Sequence, residues 1–117
     1  MQYLLLLHMD ESGWDQLAPD QRVEGQAAYA NYTASLRDAG TLVASARLTN
    51  SDAAKTIRTK GGKPVITDGP FAETKEQIAG FYLIEAADLD DAVARAADCP
   101  GAQYGIVEVR QLFAPPA

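Results

Sequence analysis

The side chains best suited to chemistry crowd into one stretch, VITDGPFAETKEQIAGFY, residues 65–82. Asp68 precedes Gly69-Pro70, a pair that ends a strand in a rigid turn, so its carboxylate is held in place. Glu73 and Glu76 stand three residues apart and share a face if the segment closes one helical turn; Thr74 and Gln77 match the capping box that would close it. Asp68 with a glutamate at a pocket mouth would form a convergent carboxylate pair. One member could act as general acid or base once burial or repulsion raised its pKa. The competing reading makes Asp68 a turn-former and the glutamates a solvated loop, with Phe71 plugging the core.

Other candidates are scattered. His8, the only histidine, falls at the end of the first apolar segment, where side chains often reach a pocket. Tyr29, Tyr32 and Tyr82 can line a cavity with hydroxyls that orient a ligand, or serve as aromatic core. Arg47 can pair with Asp68, clamp an anionic ligand, or sit in a surface ion pair. Trp14 can cap a pocket or cover a helix. Cys99 sits by a helix C-terminus, whose field raises a thiol's pKa, so it makes a poor nucleophile.

Several classes are excluded. A single cysteine allows no internal disulfide or Cys-based zinc site, and no His-x-x-x-His spacing is present, so no metal is expected. Gly61-Gly62-Lys63-Pro64 opens no helix and is not a phosphate loop; with no dinucleotide fingerprint, no cofactor is expected. A net charge of -6 argues against direct nucleic-acid binding. The apolar run Leu4–Leu7 is too short for a membrane span or signal peptide, which points to the cytoplasm.

The elements that position these residues follow from periodicity. QYLLLLHM is apolar on both strand faces, as a central strand would be. A loop leads to a helix from about Pro19 to Ala39, stopped by Gly40, with Tyr29, Tyr32 and Leu36 as its core stripe against a small-residue stripe of Val23, Ala27, Ala30 and Ala34. TLVASARLT is a strand. KTIRTKGGKPVIT is a hairpin on a two-glycine turn, carrying Lys55, Arg58, Lys60 and Lys63. IAGFYLIEA is a further strand. A helix capped by Asp88, with Leu89, Ala92, Val93 and Ala96 inward, precedes the last strand, QYGIVEVRQLF. Without the hairpin this is a ferredoxin-like βαββαβ order, an α+β fold in one domain spanning residues 1–117. Its sheet has helices on one face only. The other face is also apolar, so a homodimer with sheets face to face is expected.

The segment DGPFAETKEQIAGFYLIEAADLDDAVARAADCP resembles the DGPF-type proteins of the YCII-related family, as do QYLLLLHMDE, AAYANYTASLRDAG, GGKPVITDGPF and VEVRQL. That resemblance covers nearly the whole chain and implies a ferredoxin-like dimeric α+β barrel. Some members carry a histidine–aspartate pair with the histidine on the first helix; the matching position here is Tyr29, so this chain departs from the pair. The resemblance implies either a small-molecule binder, catalytic without a cofactor, or a non-enzymatic regulatory module beside an extracytoplasmic-function sigma factor.

Overall fold

The computed structural model describes residues 1–114; the end of the predicted tail lies outside them. Strand β1 (Gln2–Met9) alternates strictly, with Tyr3, Leu5 and Leu7 buried and Leu4, Leu6 and His8 only half-covered. It pairs antiparallel with β5 (Gln77–Glu85) on one side and β6 (Ile106–Gln111) on the other. Strand β2 (Leu42–Arg47) pairs antiparallel with β5, giving the sheet order β2-β5-β1-β6. This is the ferredoxin-like order, with β1 central as its two apolar faces predicted.

Helix α2 (Pro19–Asp38) starts on Pro19, and the Gln21 side chain accepts from the Ala18 amide at 2.9 Å. It ends in a Schellman turn: Gly40 takes φ 71°, while the Gly40 and Thr41 amides bond the Arg37 and Leu36 carbonyls. Tyr32 and Leu36 are buried and Tyr29 packs on the core, whereas Val23 and Ala27 face solvent and Ala30 lies exposed at the edge of a cleft beside α2. The bulkier stripe therefore turns inward because it removes more apolar area from water. The Asp88 carboxylate caps α3 (Leu89–Ala97) through the Asp91 amide at 2.8 Å. The inner face of α3 is narrower than predicted: Ala92 and Ala96 are buried, but Leu89 and Val93 are about half exposed. Two short helices were not anticipated. One is α1 (Glu11–Asp15), N-capped by Asp10 within the expected loop; the other is α4 (Pro100–Tyr104), which takes Gln103 and Tyr104 out of the last strand.

Strands β3 (Lys55–Lys60) and β4 (Lys63–Asp68) form a separate two-stranded sheet. Gly61 and Gly62, at φ 60° and 78°, supply the positive angles of its turn. The hairpin stands away from the body as an arm. The radius of gyration is 16.3 Å, against roughly 13 Å for a compact chain of this length.

Candidate functional site

A cleft of about 330 Å³ opens between α2 and the helical face of β2 and β5. Alternation along β1 and β5 sends Leu7 and Tyr82 into it, and the helical period brings Tyr29 and Thr33 together on its opposite wall. Trp14 closes one side from α1, and Arg47 reaches in from the end of β2. Gly25 makes the Trp14 position accessible: a Cβ there would stand 3.0 Å from the indole Cζ3 atom. The Arg47 guanidinium lies over the indole, 5.3 Å from the ring centroid, a cation–π contact that orients the charge.

The hydroxyls are ordered. Tyr32 stacks edge-on against Tyr82 at 5.1 Å and donates to the Arg95 carbonyl at 2.8 Å. The Thr33 hydroxyl donates to the Tyr29 carbonyl at 2.8 Å and meets the Tyr82 hydroxyl at 2.9 Å. Thr33 has one proton, already committed to the carbonyl, so Tyr82 donates to Thr33. Burial pushes the Tyr29 phenol up to about 12, with the Arg47 charge working the other way; burial likewise raises Tyr32 and Tyr82. These groups are neutral phenols at physiological pH.

The structure brings Tyr29, Arg47 and Tyr82 to one cleft and leaves the other candidates elsewhere. Asp68 ends β4 with its side chain 85% exposed and lines no part of this cleft; it pairs with Lys55 across the arm, not with Arg47. Glu73 lies exposed in the loop that follows. The carboxylate pair does not converge, because the arm carries Asp68 away from the sheet. Thr74 and Gln77 close no helical turn either. Thr74 donates to the Glu76 carbonyl and Gln77 to those of Ala72 and Thr74, making a bend. Phe71 is 77% exposed, lying under the Arg58 guanidinium instead of plugging the core.

His8 points to the opposite sheet face, where its Nε2 meets Glu108 at 3.1 Å beside a second cleft under loop 70–78. Arg110, then His8, hold the Glu108 carboxyl below its usual range. Cys99 is buried, and burial pushes its thiol up; the sequence reading gave that direction but named the helix field as its cause. Among the described residues no cluster of histidine, cysteine and carboxylate could hold a metal ion, and no helix is long and apolar enough to cross a membrane.

Sequence reasoning did not single out Thr33. Its spacing of four from Tyr29, on the same helix face, was the signal available.

Fold and cleft define a ferredoxin-like α+β protein with a ligand-sized recess on the helical side of its sheet. The chain belongs to the YCII-related family, whose domain model matches residues 1–114. It is 42% identical over 119 residues to an uncharacterised protein of Rhizobium meliloti (strain 1021), covering 96% of this chain and 92% of that one. Its fold resembles the 5-chloro-2-hydroxyhydroquinone dehydrochlorinase of Burkholderia phenoliruptrix AC1100, solved in complex with 2,5-dihydroxybenzoquinone. The TM-score is 0.56 at 14% identity, over 98% of this chain and 96% of that one.

Proposed function

We propose that the protein binds a small organic molecule in the cleft between α2 and the sheet. The observation that carries this reading is the convergence of Tyr29, Thr33, Tyr82 and Arg47 on one half-enclosed apolar recess. Cofactor-independent catalysis is the enzymatic form of the same reading. In it the phenols orient and donate rather than abstract, because a hydroxyl held near pKa 12 is a poor base at neutral pH. The one carboxylate lining the cleft, Glu11, is engaged by the Ser51 amide and hydroxyl at 2.7 and 2.8 Å. The fold likeness to an enzyme solved with a dihydroxyquinone supports a one-ring ligand. An Ala30→Trp variant tests the site by filling it from α2. It should abolish binding of 2,5-dihydroxybenzoquinone, followed by calorimetry, while the circular dichroism spectrum stays unchanged. Undiminished binding would move the site elsewhere.

The bare sheet face supports a homodimer. Leu4, Leu6, Phe81 and Leu83 are only half covered there, and Ile78 and Ile106 are exposed. Light scattering at micromolar concentration should report twice 12.5 kDa; a lone subunit would end that proposal.

A second reading, a regulatory module contacting a sigma factor or another protein, draws on the arm, with four cations and exposed Ile57 and Ile66. Reversing Lys55, Arg58, Lys60 and Lys63 should abolish partner capture; if neither wild type nor variant captures one, this reading fails.

A further inference from the structure

We infer that the ligand of the cleft is a small aromatic acid with a ring hydroxyl, its carboxylate drawn to Arg47 and its ring lying between Leu7 and Trp14. This deepens the reading of the cleft as a small-molecule site and rests on it.

Charge in the lining is unbalanced. Arg47 and Glu11 are its only charged residues. Both Glu11 oxygens accept from Ser51, which satisfies the carboxylate locally. Arg47 has no carboxylate within ion-pair distance among the described residues; it rests on the face of Trp14. A guanidinium held on an aromatic ring keeps its N–H fork free, and that fork matches a planar carboxylate in two-point contact. Arg47 and Tyr29 line the same recess, which puts cation and phenol before one ligand.

The hydroxyls supply the other half of the recognition. With Tyr82 donating to Thr33, the Tyr82 oxygen retains acceptor capacity. The Tyr29 hydroxyl has only a long contact with the Met9 sulfur, at 4.0 Å, so its proton is free for a better acceptor. Tyr82 and Tyr29 both line the cleft, and an acceptor and a donor in one recess suit a ligand hydroxyl, which both gives and takes a hydrogen bond. A recess of about 330 Å³, near the lower end of ligand pockets, fits a one-ring molecule.

Trp14, the only tryptophan, lines the cleft and reports occupancy by its fluorescence. The full chain is titrated with 4-hydroxybenzoate, with benzoate, and with neutral 4-hydroxybenzamide. The hydroxy acid should quench saturably and bind on the order of tenfold more tightly than the amide, as a charge-assisted contact requires. Arg47→Gln should erase that preference, bringing acid and amide to similar affinities, with an unchanged circular dichroism spectrum certifying the variant's fold. Tyr29→Phe should weaken the hydroxy acid more than benzoate. Equal affinity for acid and amide would overturn the anionic class and leave the cleft standing as a neutral aromatic site. An acid preference that survives Arg47→Gln would overturn Arg47 as its seat. If none of the three probes quenches at millimolar concentration, this inference and the cleft assignment fall together.

Discussion

Two antiparallel sheets in this chain are built from similar strand-forming residues, yet they end in opposite circumstances. In the four-stranded sheet, Tyr3, Leu5 and Ile84 are almost wholly removed from water because α2 and α3 lie across them. In the arm, Ile57 and Ile66 face each other across β3 and β4 and remain 64% and 66% exposed. Strand propensity and a well-chosen turn form both ladders. Only a covering layer turns a ladder into a core, and a lone hairpin in water is marginal. The comparison also sorts chemistry: hydroxyls with raised pKa values lie between the covered sheet and α2, whereas Asp68, on the arm, is a surface partner of Lys55.

The sharpest way to break this contrast is to make the same kind of deletion in both regions. Leu36→Ala removes a side chain that is 1% exposed and should cost about 2–5 kcal/mol in urea unfolding, whereas Ile66→Ala should cost about 0.5 kcal/mol or less. A core-sized loss at Ile66 would mean that another surface covers the arm in solution. Next in size is the response to alkali. Tyr29 and its neighbours hold their protons above the unfolded value near 10, so unfolding releases protons in that range. Stability should therefore be intact below about pH 10 and fall as pH rises towards 12. Melting temperatures measured from pH 8 to 12 test this, and a flat profile would contradict the burial of the phenols. The arm, which has no tyrosine, contributes nothing to the trend. Tyr32→Phe should then cost about 1 kcal/mol, because the Arg95 carbonyl loses its hydroxyl donor. The smallest effect belongs to Asp68→Asn, within about 0.5 kcal/mol by thermal melting, as for exposed ion pairs generally. A large drop there would make the arm's base a structural joint.

What was legible in the sequence was local. Gly61-Gly62 named their turn, Asp88 its cap, and the Tyr32–Leu36 stripe its buried side, because each signal lies within a few residues of what it determines. Element order then gave the strand arrangement through the rules of chain connection. The site was legible only in part. Tyr29, Arg47 and Tyr82 were named from their element positions, but the seating of Arg47 on Trp14 joins residues 33 apart through a helix that the sequence reading left as loop. Asp68 and Phe71 misled for the complementary reason. Their turn chemistry is real, but its direction depends on where the arm leaves the body, which no neighbouring residue encodes.

Gly25 sits inside a 20-residue helix, where alanine would be the better helix former by about 1 kcal/mol. Trp14 occupies the space an alanine methyl would need. Backbone preference and recess shape are thus opposed at a single Cα: a substitution that stiffens α2 displaces the indole, and with it the platform beneath the guanidinium. Attempts to harden this protein by raising helix content would therefore reshape the proposed ligand recess first at a residue that itself carries no functional group.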